Sequence, residues 1–275
     1  MKEMAKQFRK HPIGIVGFFL LLFWVVIAVF APFIAPYSFT EINVKAQIKA
    51  PGNGHLLGTD MLGRDVLSRI IEGSRSIILI ALFTSILSTL LGILVGFTAG
   101  YIGGKLDELI MRIMDIFMSI PLLILAMVAL AVAQGANAPV LVLVIALVFT
   151  PRTARVARSA MLTQKSLEYV DAARIRGEGH FYIMFVEILP NTLGPVLVEG
   201  SARFAYATMA VASLGFLGVG LQPPTPDWGR MVLENKQVMM MAPWTVLFPA
   251  VAIASLVIGI SFISDFFEKI YYRGN

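Results

Sequence analysis

The chain has 275 residues, 57% of them hydrophobic, and its formal net charge is +5. Only 14% are charged, against roughly 25% in an ordinary soluble domain, and the mean hydropathy is +0.80; this excludes a soluble globular protein and predicts an all-α polytopic membrane protein. The absence of cysteine excludes disulfides, thiolate metal sites and a cysteine nucleophile.

Residues 1–12 form a basic tail with Lys2, Lys6, Arg9 and Lys10. The apolar run from Ile13 to Phe33 that follows exceeds the roughly 7–15 residues of a secretory signal core. Pro32 and Pro36 also occupy the place where small cleavage-site residues are needed. The sequence therefore predicts an uncleaved first membrane helix. A span needs about 20 mainly apolar residues, and five more candidates follow: Ile77 to Tyr101, Ile113 to Ala133, Val140 to Met161, Leu193 to Val219 and Thr245 to Asp265. Gln134 to Pro139 separates the third from the fourth, because glycine and proline break helices. Residues 13–275 then make one transmembrane domain of six helices.

An even number of spans puts both ends on one side. Of 22 Lys and Arg, 14 lie in the two tails, the 101–112 connection and the 152–191 insert. By the positive-inside rule those segments, and with them both termini, are cytoplasmic. Residues 34–76, 134–139 and 220–246 then face outward. The basic residues sit mainly beside apolar spans, so the anionic partner they imply is the lipid headgroup, not nucleic acid. Arg152, Arg155 and Arg158 recur every three residues on one stripe of the fourth span. They read first as a topology anchor and second as a contact for a cytoplasmic partner.

In the outer segment, Asp60, Arg64 and Asp65 accompany Gly58 and Gly63. Asp60 or Thr59 can cap a short amphipathic helix with Val66, Leu67, Ile70 and Ile71 on its apolar face, lying on the outer membrane surface and leading into the second span. Its charges either pair with one another or form a docking surface. Pro223-Pro224-Thr225-Pro226 reads as a stiff extended element. Asp227 and Trp228 follow it.

The insert 164–190 is polar and helix-forming. Ser166 can cap a helix whose first turn holds Glu168. Ala172 and Ala173 favour helix, and Gly177 supplies a left-handed stop. A second short helix runs from His180 to Ile188, and Pro190 closes the segment. Two short helices joined at a glycine make a bent plug that something outside the membrane can push. Within the fifth span, Glu199 and Arg203 stand four residues apart, acid before base, the favourable order on a helix. Such a pair is either self-neutralising structure or the polar lining of a path.

The insert resembles the coupling-loop signature of ABC importer permeases, an acid-Ala-Ala triplet followed by Gly and a hydrophobic-Leu-Pro ending. Here these are Asp171-Ala172-Ala173, Gly177 and Ile188-Leu189-Pro190, with Asp where Glu is usual. His55 to Arg69 and Ser213 to Gly229 resemble the dipeptide, oligopeptide and nickel branch, and specifically its second permease subunit, although Gly215 replaces the usual Ser. The resemblance implies a type I ABC importer permease fold and a non-enzymatic subunit forming half of a translocation pathway for small peptides. It implies coupling residues at Glu168, Asp171, Ala172, Ala173, Arg176 and Gly177, while helix spacing gives the path or buried pair at Glu199 and Arg203 and the positive-inside count puts Asp60, Arg64, Asp65, Asp227 and Trp228 on an outer docking surface. Implied partners are a homologous second permease subunit, one or two cytoplasmic ATPases and an extracytoplasmic solute-binding protein. ATP and Mg belong to the ATPases; this chain has no Gly-rich phosphate loop and no cofactor is expected in it. Nickel, glutathione, opines and sugars are alternative substrates within the same family. An ion-coupled secondary transporter is an alternative outside it, but it would need a midplane acid or inverted repeats. An intramembrane enzyme would need a nucleophile and base at membrane depth, and every span lacks His. Met239-Met240-Met241 reads as apolar filler, not a metal site.

Overall fold

The computed structural model describes residues 12–52, 54–133 and 135–273; the basic tail expected at 1–12 falls almost wholly outside them. The elements in chain order are α1 (Pro12–Ile34), α2 (Val66–Ile102), α3 (Gly104–Ser119), α4 (Leu122–Val132), α5 (Ala138–Lys165), α6 (Glu168–Ile175), α7 (His180–Phe216), α8 (Trp228–Asn235) and α9 (Trp244–Arg273). Among the described residues there is no strand, only two isolated β-bridges near residues 52–65. Among the described residues five helices (α1, α2, α5, α7 and α9) are long and apolar enough to cross a membrane, and a sixth span is reached when the bent pair α3–α4 is taken together.

Three expected boundaries are corrected. The third span is bent by 95° between α3 and α4, because Pro121 has no N–H to continue α3 and serves instead as the cap of α4. The outer amphipathic helix does not lie apart on a membrane surface. Val66 begins the same 37-residue helix that forms the second span, and Val66, Ser68, Arg69, Ile70 and Ile71 are buried. Pro190 does not close the insert either. His180 to Phe216 is one helical run, with a π-helical turn at Ile183–Ile188, and Pro190 sits in the first turn of the regular helix after it, where a missing N–H costs nothing.

The core is the packing of α2 on α5 and α7, with α9 bracing α1 and α7. Small residues set the spacing. A Cβ on Gly96 would overlap the Ala154 carbonyl oxygen and come within 2.8 Å of the Arg158 nitrogen, so α2 and α5 meet backbone to backbone. At the end that carries the insert, α3 is clipped onto α5 by two ion pairs. The Arg158 guanidinium donates twice to Asp107, at 2.6 Å each, and Arg155 pairs with Asp115. Two members of the arginine stripe are thus spent on α3.

Candidate functional site

The insert is built on local rules. Leu167 is the N-cap of α6; the expected cap, Ser166, instead donates back to the Thr163 carbonyl at 3.3 Å and finishes α5. Glu168 and Asp171 occupy the first turn of α6, where the helix dipole favours acids. The far end is a Schellman closure. The Gly177 N–H donates to the Arg174 carbonyl at 2.9 Å, and the Glu178 N–H to the Ala173 carbonyl at 3.2 Å. Gly177 has φ +79°, the left-handed region expected from the sequence, and open space surrounds its missing Cβ.

α6 has an inner and an outer face. Val170 and Ala173 are fully buried in one apolar cluster with Phe97 and Tyr101 of α2, Met161 of α5, and Ile183 and Ile188 of α7. Lys165 donates to the Tyr101 carbonyl, and the Tyr101 hydroxyl meets His180 Nδ1 at 3.1 Å. The plug is therefore fixed to three membrane helices. Burial pushes the Tyr169 phenol above its ordinary pKa, against a hydrogen bond from Asn191. Glu168, Asp171, Ala172, Arg176 and Gly177 are exposed. Ala173 is the correction: expected on the coupling surface, it lies one helical turn from Val170 on the inner face and touches this chain's own core. Ile175 was not anticipated. It is 87% exposed at the tip of α6, an apolar side chain flanked by Arg174, paired with Asp171 at 2.9 Å, and Arg176, paired with Glu187 at 2.6 Å.

Glu199 and Arg203 do meet. Arg203 Nε lies 2.9 Å from Glu199 Oε1, at an angle that makes an ion pair without a hydrogen bond. The Arg203 guanidinium sits over the rings of Tyr206 at 4.6 Å and Phe149 at 5.4 Å. α2 faces this region with hydroxyls. Ser85 donates to the Gly200 carbonyl at 2.7 Å, while those of Thr84 and Thr89 are buried without partners.

At the opposite end the expected docking residues are interior. Asp60, Asp65, Asp227 and Trp228 are each at most 4% exposed. Asp60 closes the 60–64 turn by accepting from the Leu62 and Arg64 N–H groups. It also receives Arg64 Nε at 2.7 Å and Arg69 at 2.6 Å. Asp65, not Asp60 or Thr59, caps α2 through the Ser68 N–H at 2.7 Å, and its other oxygen meets His55. Glu234 of α8, which the sequence did not single out, joins Arg64, Arg69 and Arg230. Burial raises the Glu234 carboxyl, but Arg69 and Arg64 outweigh it and hold the group below its ordinary pKa. Trp228 donates to the Ile70 carbonyl at 3.0 Å and packs on Trp24 at 4.8 Å. Asp227 caps α8 through the Arg230 N–H at 3.0 Å, but its Oδ2 has no partner. Burial pushes its carboxyl up to about 6, opposed by nearby backbone N–H groups. A Cβ on Gly215 would overlap this carboxylate, so Gly215 makes room for it. Residues 223–225 form a turn with a cis Pro223–Pro224 bond, not the expected extended element. These side chains tie the 60–69 segment to α8, so Asp60, Asp65, Asp227 and Trp228 are not offered as a docking surface, while Arg64 stays partly exposed.

Residues 92–274 match the family model described as the inner membrane component of binding-protein-dependent transport systems. Residues 1–51 match the N-terminal transmembrane domain of oligopeptide transport permease C. The chain is 39% identical over 271 residues to the dipeptide transport system permease protein DppC of Escherichia coli strain K12, covering 96% of this chain and 90% of that one. It is 37% identical over 273 residues to the protein of the same name from Haemophilus influenzae, with 96% and 92% covered. The protein of that name from Alkalihalophilus pseudofirmus is 36% identical over 264 residues, with 96% and 86% covered. A chain of the inward-facing MetNI methionine ABC transporter superposes with TM-score 0.55 at 20% identity, over 76% of this chain and 97% of that one, a likeness of fold. With its model matching well over half the chain and its capped insert in place between membrane helices, this protein belongs to the family of inner membrane components of binding-protein-dependent transport systems.

Proposed function

We propose that this chain is one permease subunit of an ATP-driven peptide importer, forming half of the translocation pathway with a homologous second subunit. The relatives named above carry dipeptide transport in their names. In this reading the insert end is cytoplasmic, as the positive-inside count implies, and one or two kinds of ATPase subunit dock on α6. ATP and Mg stay on those subunits. A solute-binding protein delivers peptide to the opposite end, and lipid headgroups meet the basic segments.

One observation carries the mechanical part. The inner face of α6 is locked into a cluster shared by α2, α5 and α7, while its outer face leaves Glu168, Asp171, Ala172, Ile175, Arg176 and Gly177 exposed. A push on the outer face therefore moves three membrane helices together. Closure of the ATPase pair on ATP supplies the push and turns the pathway outward; hydrolysis releases it. Ala173 acts from inside by letting α6 sit close to its support.

Ile175 gives a clean test, because so exposed a side chain contributes little to this chain's own folding. Ile175→Asp should leave membrane insertion and pairing with the second permease intact. It should also abolish most ATPase co-purification and peptide uptake in proteoliposomes. Full uptake by this variant would remove the tip of α6 from the interface.

A further inference from the structure

Arg152 stands apart from the stripe it belongs to. Arg155 and Arg158 are paired with Asp115 and Asp107. Arg152, a turn deeper in α5, is exposed and has no ion pair or hydrogen bond among the described residues. Its charged neighbour is Arg203, which the Glu199 carboxylate neutralises. Two arginines against one glutamate leave a single net positive charge, and the half-exposed Tyr206 ring borders it through Arg203. The depth is consistent on both helices. Arg152 lies about 21 Å along α5 from Ala138, and Arg203 about 20 Å along α7 from Phe216, at 1.5 Å per residue.

An exposed guanidinium on a membrane-spanning helix, near its charged cytoplasmic half, is tolerated where water or a counter-charge reaches it, as at the inner mouth of a path. The two paired arginines of the stripe are each met by an acid of α3, so the structural charges of α5 are matched within this chain and Arg152 is not. We propose that Arg152 is a carboxylate-binding point on the translocation path, engaged in passing by the C-terminal carboxylate of the transported peptide. A guanidinium offers two parallel N–H donors that match a carboxylate. The local excess of positive charge favours that end of a zwitterion over its ammonium end. Arg203, already neutralised by Glu199, adds no net charge and does not compete for the ligand. This inference rests on the peptide-importer reading.

The chain contains no cysteine, so Arg152→Cys places a unique thiol in this subunit. The full complex carrying it, in proteoliposomes, is treated with an anionic, membrane-impermeant methanethiosulfonate, and modification of this subunit is read by mass. The expected result is modification that slows severalfold during turnover with dipeptide-loaded binding protein and ATP. A thiol that never reacts faces lipid or a sealed interface, and overturns the proposal. In parallel, Arg152→Gln should lower dipeptide uptake about tenfold, the scale of one charge-assisted hydrogen bond, with Arg152→Lys in between. The second permease should co-purify in native amount, and stimulation of ATP hydrolysis by binding protein should persist. Loss of co-purification would assign Arg152 to an acid of the second permease and overturn the proposal. A native complex that moves no dipeptide would overturn the importer reading and this inference with it; a native complex that transports while Arg152→Gln transports equally would overturn this inference alone.

Discussion

Gly177 offers the sharpest test of the coupling surface, because its geometry separates backbone strain from steric fit. With φ +79° and nothing within 4 Å of the position a Cβ would take, a side chain there meets no neighbour. Any penalty comes from the left-handed backbone alone. That conformation costs roughly 1–2 kcal/mol for an ordinary L residue, is worst for a β-branched one, and is readily tolerated by Asn. Gly177→Asn should therefore cost less than about 1 kcal/mol, and Gly177→Val about 2 kcal/mol. A variant that leaves the left-handed region loses the Schellman bonds to Arg174 and Ala173, so the last turn of α6 frays. If ATPase binding requires the closed turn, about 2 kcal/mol converts to roughly 30-fold weaker docking. The assay is titration of purified ATPase subunits onto the permease pair in nanodiscs, for native, Asn and Val forms. The reasoning fails if Val and Asn weaken docking equally, or if Val has no effect while insertion of the permease stays normal.

Two further outcomes follow from the ionisable groups. Removing one partner of the Glu199–Arg203 pair leaves an unpaired charge near Phe149 and Tyr206, at a cost of about 3–5 kcal/mol if the site is dry. Glu199→Gln and Arg203→Gln should each lower thermal stability and uptake, with the double variant recovering part of the loss; simple additivity in that cycle would show the residues act separately. Asp227 predicts a pH dependence. Its pKa is raised to about 6 in the folded chain from an ordinary 3.8, so between those values the folded state holds the extra proton. Stability from this group is therefore greatest at low pH and is lost as pH rises from about 4 through about 6, by up to ~3 kcal/mol. Asp227→Asn, which keeps a capping oxygen, should flatten that part of the melting-temperature profile; parallel native and variant profiles between pH 4 and 7 would refute it.

The spans and the insert were legible because hydropathy and helix-stop chemistry are local. Gly177 is a case in point: nothing but its own backbone demands glycine. Ala172 and Ala173 look alike in sequence, yet one is exposed and the other buried, because the choice depends on which side of α6 meets Phe97 and Met161. The break at Pro121 was hidden by flanking residues apolar enough to average into a continuous span. Asp60, Asp65 and Asp227 misled for a different reason. Charge in a loop suggests exposure, but the partners that bury it are distant in the chain, with Glu234 more than 160 residues from Arg64 and Arg69. Such pairings leave no periodic trace.

The backbone contact between α2 and α5 at Gly96 has a mechanical consequence. Helices that interlock at carbonyl depth cannot slide without a jump of a full turn, about 5.4 Å, so the two behave as one girder. α2 alone, with 37 residues, is about 55 Å long. One end is bolted to the plug through Phe97 and Tyr101, and the other to α8 through the Ile70 carbonyl and Trp228. Tilting such a girder by about 5° around one end displaces the other by about 5 Å, the rise of a helical turn. A small angular input at one membrane face therefore becomes a side-chain-sized displacement at the other, with no helix along the way having to bend.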